Sequence, residues 1–144
     1  MSAATVLVIE DDPQVRLFLR TALCAASFRV VEAVTAAEGA TLARSHNPAL
    51  ILLDLGLPDL DGQDVLKRLR EWCSAPIIIL SARDQESQKI KALDQGADDY
   101  ITKPFGVGEL LARMRSALRH ALRTGLDATT ITIGDITVDL AARL

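Results

Sequence analysis

The sequence is poor in cysteine, and it has no long apolar run. Its two cysteines, Cys24 and Cys73, do not have the spacing of metal ligands. Both lie beside apolar residues in helical patterns, which predicts reduced side chains used for packing. No apolar run approaches the roughly 18 residues of a membrane span, and the N-terminus has no signal-peptide pattern. We therefore expect a cytoplasmic protein without a membrane partner.

An excess of positive charge is also missing. The chain has 16 basic and 19 acidic residues and a formal net charge of −3, so it does not itself have the basic balance of a nucleic-acid-binding domain. Hydrophobic residues make up 49% and charged residues 24% of the 144, which is ordinary for a globular protein. This length is sufficient for one domain with a sizeable core.

Five apolar, strand-like runs alternate with five helical patterns. The runs cover residues 5–10, 28–33, 49–55, 76–82 and 98–104. Asp12 followed by Pro13 predicts the start of the first helix, and Thr35 with Glu38 predicts a capping box at the second. Alternation of this kind predicts an α/β fold with a doubly wound, five-stranded parallel sheet and helices on both faces.

The C-terminal segment has a different pattern. Residues 123–130 are typical of a linker, and residues 131–140, "ITIGDITVDL", alternate apolar and polar residues around Gly134-Asp135. That alternation predicts a β-hairpin. Because a lone hairpin is only marginally stable in water, we expect residues 1–122 to form one domain and residues 131–144 to begin a second, truncated one.

Polar residues follow the predicted strands where each one ends. Doubly wound sheets bind ligands at that edge. Three acids there would form a hard oxygen site of the kind that Mg²⁺ prefers. With a lysine and a hydroxyl added, the set would clamp a phosphoryl group, and Asp54 would be the nucleophile. The candidates are Glu10, Asp11, Asp54, Ser81, Ala82 and Lys103.

The segments "VLVIEDDP", "LLDLGLPDLDG", "LSAR" and "GADDYITKPF" resemble the receiver domain of two-component response regulators. The resemblance covers roughly residues 4–122 and is to the subgroup with winged-helix outputs, the OmpR/PhoB group. It implies a flavodoxin-like strand order of 2-1-3-4-5. "LDLGLPD" and "KPFGVGEL" are similar to regulators of potassium-transport operons, and "ITIGDITVDLAARL" resembles the first strands of the group's DNA-binding domain.

The resemblance implies a role for each acid. Asp54 matches the phosphoacceptor, which takes its phosphoryl group from a sensor histidine kinase. Glu10 and Asp11 match the pair that holds Mg²⁺, Asp11 directly and Glu10 through water. The backbone carbonyl of Gly56 matches a further metal ligand. Since many relatives have a larger side chain at this position, Gly56 is expected to alter access to Asp54.

The resemblance also implies a phosphoryl-binding and switch group. Lys103 matches the lysine that pairs with the phosphoryl group, and Lys103–Pro104 matches a cis peptide bond. Ser81 matches the switch hydroxyl, with Ala82 beside it. Tyr100 matches the aromatic residue that turns inward when the switch operates.

Active receivers of this subgroup form a homodimer through the fourth helix, the fifth strand and the fifth helix. The missing C-terminal domain would then bind promoter DNA, in this case of potassium-transport genes. Exposed ion pairs contribute about 0–1 kcal/mol each, so the pairs across this dimer would set register more than affinity. The implied apolar patch is Ile90, Leu93 and Ala112. The implied ion pairs join Lys89 to Glu109, and Asp98 or Asp99 to Arg113 or Arg119.

Other interpretations of the same residues stay open. Asp12, Asp59 and Asp61 are more typical of caps and turns than of metal ligands. An aspartate-nucleophile phosphatase would place a second acid two residues after the nucleophile, where this chain has Gly56. A receiver acting only as an interaction module would lack a DNA-binding output, against which the hairpin pattern of residues 131–140 argues.

Overall fold

The computed structural model describes residues 3–83 and 85–132, in which five strands alternate with five helices. All strands are parallel, and they lie in the order β2-β1-β3-β4-β5. This arrangement confirms the predicted α/β class and the flavodoxin-like order. The elements are β1 (Thr5–Ile9), α1 (Pro13–Ala25), β2 (Arg29–Ala33), α2 (Ala36–His46), β3 (Leu50–Asp54), α3 (Gly62–Arg70), β4 (Ile77–Ser81), α4 (Glu86–Asp94), β5 (Asp99–Thr102) and α5 (Val107–Thr132).

Apolar side chains cover both faces of the sheet. Since successive residues of a strand point to opposite faces, Val6 and Val8 of β1 pack beneath α1 and α5, while Leu7 and Ile9 pack beneath α2, α3 and α4. Every residue of the central strand β3 is buried. Each fully buried Leu or Ile contributes about 1.5–3 kcal/mol, so β3 is a rigid support for the residue that ends it.

Side chains at the helix starts hold the loops that lead into them. Asp12 caps α1 with Pro13 at its first position, and Asp61 caps α3, which confirms the predicted cap roles of both acids. Thr35 Oγ1 accepts a hydrogen bond from the backbone N–H of Glu38 at 3.1 Å. The Glu38 carboxylate reaches the N–H of Val34 at 2.8 Å, one residue before the cap, so the capping box is closed by a neighbouring amide.

The fifth helix is longer than the sequence indicates. It continues to Thr132, so residues 123–130, predicted as a linker, have helical backbone, as do the first two residues of the predicted hairpin. A single glycine inside a helix costs only about 1 kcal/mol, and Gly125 does not end this one. The remaining hairpin positions, 133–144, lie outside the described residues, and the division into two domains stays a prediction.

Smaller differences concern individual side chains. In the part of α5 whose side chains the structure describes, Leu110 and Met114 are buried, whereas Leu122 is 67% exposed. Cys24 is a free cysteine, as predicted, but it is exposed, so the prediction that its side chain is used for packing is wrong. Of the helices in the described part of the chain, none combines the length and hydropathy needed to cross a membrane.

Candidate functional site

The carboxyl edge of the sheet gathers the polar candidates. Asp54 ends β3 and Ser81 ends β4, while Glu10 directly follows β1 and Lys103 directly follows β5. These four strands are neighbours in the sheet, in the order β1-β3-β4-β5. Their carboxyl ends therefore converge, and the prediction of a polar site at this edge rests on that geometry.

Three acids form a compact cluster at this edge. One carboxylate oxygen from each of Glu10, Asp11 and Asp54 lies within 4.8 Å of the others. Glu10 is 2% and Asp54 8% exposed, whereas Asp11 is exposed and opens the cluster to solvent. Hard, anionic oxygens with one solvent-facing side fit a small divalent cation that keeps several waters. The residues present therefore suit Mg²⁺.

A single lysine neutralises part of this negative charge. Lys103 Nζ donates to Glu10 Oε1 at 2.8 Å and lies 3.4 Å from Asp54 Oδ1. The Lys103–Pro104 peptide bond is cis. The ammonium thus lies between the acid at the end of β1 and the acid at the end of β3.

Burial and the charges of neighbouring groups shift the pKa values of both Glu10 and Lys103. Burial raises the pKa of Glu10, with the negative charge of Asp54 adding to it; hydrogen bonds from Lys103 and from the backbone of Asp12 oppose the rise without cancelling it. Burial alone would lower the pKa of Lys103. The hydrogen bond to Glu10 and the charges of Asp54 and Glu10 outweigh that effect, so the pKa of Lys103 is raised.

The loop after Asp54 is closed tightly. A β-bridge joins Gly56 to Asp61, and the N–H of Gly62 donates to the carbonyl of Leu55 at 2.8 Å. A Cβ at position 62 would lie 2.4 Å from the Cα of Leu55, so only glycine allows this approach. Sequence reasoning missed Gly62, although a glycine directly after a helix cap is a usable signal. At Gly56 a Cβ would lie 3.7 Å from Asp54 Oδ2, an ordinary contact beside the carboxylate.

The predicted switch residues share one backbone segment. Ser81 is 2% exposed, and its Oγ accepts from the N–H of Arg83 at 3.0 Å. Tyr100 is 8% exposed and points inward, and its hydroxyl donates to the carbonyl of Arg83 at 2.6 Å. The Arg83 guanidinium lies 3.2 Å from Asp61, in the loop that follows Asp54. Sequence reasoning did not identify Arg83, because its contacts depend on the loop conformations.

The exposed Ala82 lies at the mouth of the site. It lines a hollow of about 510 Å³ beside Lys103, together with Pro104, Phe105 and Asp12. This hollow is mainly apolar and open to solvent. The structure thus brings Ser81, Ala82 and Lys103 to one edge of the sheet, while Tyr100 lies inside β5 and reaches the neighbouring Arg83 segment through its hydroxyl.

The predicted dimer residues lie apart from the site. Ile90 and Leu93 on α4 are 50% and 46% exposed, and Ala112 on α5 is exposed. Ile90 and Leu93 are three positions apart on α4 and so lie on one face of this helix, and neighbouring exposed apolar side chains are typical of an interaction site. The Nζ of Lys89, on α4, lies 6.0 Å from the ring centroid of Tyr100, the predicted switch tyrosine, so the two residues are neighbours.

Four of the charged members of that set, Asp98, Asp99, Glu109 and Arg113, form ion pairs within the same chain. Arg113 contacts Asp99 at 3.0 Å and Glu109 at 3.2 Å. Asp98 Oδ2 accepts from Arg70 at 2.6 Å and from the N–H of a β4 residue at 2.8 Å, so this carboxylate helps hold the start of β5. Arg119 is exposed on α5.

Comparison with known proteins agrees with this geometry. The family model described as the response regulator receiver domain matches residues 6–115. The KDP operon transcriptional regulatory protein KdpE of Escherichia coli (strain K12) is 52% identical over 139 residues, which are 96% of this chain and 62% of that protein. KdpE of Mycobacterium tuberculosis (strain ATCC 25618 / H37Rv) is 48% identical with the same coverage. The chain thus spans less than two thirds of the length of these curated relatives.

Two solved structures have a similar fold over most of this chain. The BeF3-activated N-terminal receiver domain of Klebsiella pneumoniae RstA has a TM-score of 0.77 and 33% identity, covering 80% of this chain and 98% of that one. The receiver domain of the Francisella response regulator 1452 has a TM-score of 0.78 and 36% identity, covering 81% and 98%. The chain therefore belongs to the response regulator receiver domain family.

Proposed function

We propose that this chain is the phosphorylation-switched receiver of a transcription regulator, and that Asp54 accepts a phosphoryl group from a sensor histidine kinase. The observation that carries the proposal is the convergence of Asp54, its two neighbouring acids, Lys103 and Ser81 at one edge of a rigid sheet. Asp54 ends a fully buried strand, which holds its carboxylate still for attack.

In the transfer step, a carboxylate oxygen of Asp54 attacks the phosphorus of a phosphohistidine. The new O–P bond makes an aspartyl phosphate, the P–N bond breaks, and the imidazole leaves with its electron pair. Mg²⁺, held by Glu10, Asp11, Asp54 and the carbonyl of Gly56, would supply positive charge against the phosphoryl oxygens. Asp11 would be a direct ligand, and Glu10 would act through water.

Lys103 would stabilise the product. Its ammonium lies 3.4 Å from Asp54 Oδ1, so it is near the negative charge of about −1.5 to −2 that a phosphoryl group adds. Its raised pKa keeps it protonated at neutral pH. Apart from its share in neutralising the acids, Lys103 would thus provide a fixed cation for the transferred group.

The switch would begin at Ser81. Its Oγ now accepts from the N–H of Arg83, and a hydroxyl that turns to donate to the phosphoryl group would give up that bond. The same Arg83 segment accepts the hydroxyl of Tyr100, so a movement of the segment would change the support of the tyrosine. Ala82, between the two, would move with it. This shared segment supports a two-state switch that joins the site to α4 and β5.

The output would be a homodimer that binds promoter DNA. Phosphorylation would favour the face of α4, β5 and α5, with Ile90, Leu93 and Ala112 as its apolar patch. The charged residues proposed for its rim are Lys89, Asp98, Asp99, Glu109, Arg113 and Arg119. The similarity to the KDP operon regulators supports potassium-transport genes as the target, with a DNA-binding domain continuing beyond this chain and the protein acting in the cytoplasm.

Intact-mass spectrometry after incubation with a small acyl phosphate donor tests the proposal. We expect a gain of one phosphoryl group that requires Mg²⁺ and is absent from Asp54→Asn. Asp64→Asn, which changes an exposed acid in the first turn of α3, is the matched control and should be phosphorylated like the unchanged chain. No gain in a folded chain with Mg²⁺ present would contradict the phosphoacceptor role and favour an interaction module.

A further inference from the structure

One arginine outside the acid cluster, Arg16, forms hydrogen bonds with the backbone of two acids that belong to the cluster. Arg16, at the end of the first turn of α1, donates from one terminal guanidinium nitrogen to the carbonyl of Glu10 at 3.0 Å and to the carbonyl of Asp11 at 2.8 Å. These two carbonyls belong to the loop between β1 and α1, beyond the last residue of the strand. The arginine therefore holds consecutive peptide units of this loop.

The guanidinium is itself held in place. Its Nε lies 3.4 Å from a carboxylate oxygen of Glu32 on β2, and the Arg16 side chain is only 18% exposed. Arg20, one helical turn further along α1, contacts the same carboxylate, with its second nitrogen at 3.0 Å. Arg20 makes no hydrogen bond to the loop. Two arginines thus share one acid, but only Arg16 reaches the backbone beside the acid cluster.

Backbone position matters here because three like charges lie close together. The carboxylates of Glu10, Asp11 and Asp54 repel one another, so a loop free to move would carry Asp11 outward into solvent. Fixing the two peptide planes limits the directions in which the side chains of Glu10 and Asp11 leave the chain. The N–H of Asp12 also donates to Glu10 Oε2 at 3.1 Å, so the loop and its acid form one hydrogen-bonded unit.

We infer that Arg16 is a positioning residue for divalent-cation binding: it orders the loop that presents Glu10 and Asp11 without touching the cation or the phosphoryl group. The inference rests on the proposed function, since it assumes that the acid cluster binds Mg²⁺. Outer partners that orient metal ligands typically change affinity by about 10–100-fold when removed. Arg16→Ala should therefore weaken Mg²⁺ binding by about tenfold or more.

Isothermal titration calorimetry with Mg²⁺ alone tests this inference, with the thermal unfolding midpoint of each variant measured without the metal. Arg20→Ala is the matched control, because it removes a neighbouring arginine with the same ion-pair partner but no bond to the loop. It should bind Mg²⁺ like the unchanged chain. Arg16→Lys keeps the charge but loses the planar fork that contacts loop and acid together, so it should weaken binding by a smaller factor than Arg16→Ala.

The outcomes separate this inference from the function on which it rests. Mg²⁺ affinity unchanged in a folded Arg16→Ala would overturn the inference alone. If Arg20→Ala weakened Mg²⁺ binding equally, the inference would also be overturned. The effect would then come from the lost positive charge rather than from the hydrogen bonds to the loop. If Arg16→Ala fails to fold, Arg16→Lys with unchanged affinity overturns it. No Mg²⁺ binding by the unchanged chain would overturn the metal site and the inference together.

Discussion

At the scale of single residues, the site places the positive charge of one lysine between the negative charges of two acids. Lys103 is the cation nearest to Glu10 and Asp54, both of which are largely buried. The sequence could predict which polar residues meet, because parallel strands end at a common edge. It could not predict that the shortest contact of Lys103 is to Glu10, since that depends on side-chain conformations.

Lys103→Met should destabilise the fold at neutral pH by about 1–3 kcal/mol, because it keeps the aliphatic stem but leaves Glu10 and Asp54 without their cation. Urea unfolding measures this difference. The exposed Lys67→Met on α3 is the control and should change the free energy of unfolding by less than about 0.5 kcal/mol. Equal effects of the two substitutions would show that the Lys103 ion pairs contribute nothing specific.

The same ion pair predicts that the contribution of Lys103 to stability depends on pH. Because the pKa of Glu10 is raised, this acid takes up its proton above pH 4.5 in the folded chain. Once Glu10 is neutral, its charge attraction to Lys103 is lost. The difference between the unchanged chain and Lys103→Met should therefore shrink as pH falls through that range. The raised pKa of Lys103 keeps its contribution present below pH 10.5 and lost as pH rises through the raised value. A difference that grows on acidification would contradict this charge balance.

Gly62→Ala should destabilise the fold by about 1–3 kcal/mol, because the added methyl group meets the backbone of Leu55 directly after Asp54. Gly108→Ala is the matched control. At Gly108, in the first turn of α5, a Cβ meets nothing within 4 Å, so alanine should be neutral or stabilising by up to about 1 kcal/mol. Thermal unfolding of both variants provides the comparison; similar midpoints would contradict the tight closure of this loop.

At the scale of elements, acids between the strands and helices join parts of the chain that are distant in sequence. The caps by Asp12 and Asp61 are local, and the sequence predicted both. Asp59 instead accepts from the N–H groups of Ala36 and Ala37, at 2.8 and 3.1 Å, and so caps α2 from the loop that follows Asp54. No local pattern reveals a contact across more than twenty positions, which is why the sequence indicated only a turn or cap residue there.

Asp59→Ala should make the first turn of α2 less stable, because two of its backbone N–H groups lose the carboxylate that accepts their hydrogen bonds. The backbone N–H of Ala36, with that of Ala37, holds the pKa of Asp59 below its usual 3.8, so the stabilisation is present above pH 3.8 and is lost as pH falls below it. Hydrogen exchange of the Ala36 and Ala37 amides at neutral pH should become faster in the variant. Exposed Asp64→Ala should leave both amides unchanged. Unchanged exchange in Asp59→Ala would contradict this link between the loop and α2.

Element boundaries show where sequence reasoning is weakest. Gly96, with φ of +113°, ends α4 as its identity suggests, because glycine accepts that conformation without strain. Gly125 instead lies inside α5, within the stretch that the sequence indicated as a linker. The two glycines have the same local sequence signal, and only the rest of the helix decides between a stop and an interior position.

At the scale of the whole molecule, the proposed interaction surface and the acid site lie on different parts of one fold. Ile90 and Leu93 leave apolar area exposed on α4, while Arg113, Asp99 and Glu109 form ion pairs within the chain on β5 and α5. In a dimer through this face, these charged side chains would have to pair with residues of both protomers or exchange their present partners for residues of the other protomer. The sequence could predict this surface only through family resemblance, because a periodic pattern does not separate an exposed apolar face from a buried one.

Leu93→Asp should weaken self-association of the phosphorylated chain by about tenfold or more, because it places a charge in the apolar centre of the proposed interface. Sedimentation of phosphorylated samples over a range of concentrations measures the change. Leu17→Asp, at a leucine on α1 that is 55% exposed against 46% for Leu93, is the control and should leave the association unchanged. A larger loss with Leu17→Asp would place the dimer on another face.

The central claim is that Asp54 itself carries the phosphoryl group, and locating the modified residue tests it most directly. Borohydride reduces an aspartyl phosphate to homoserine, so the chain would be phosphorylated with Mg²⁺, reduced, digested and sequenced by tandem mass spectrometry. The account predicts homoserine at position 54 alone, and only after phosphorylation. Homoserine at Asp11 or at another acid, with Asp54 unchanged, would contradict it.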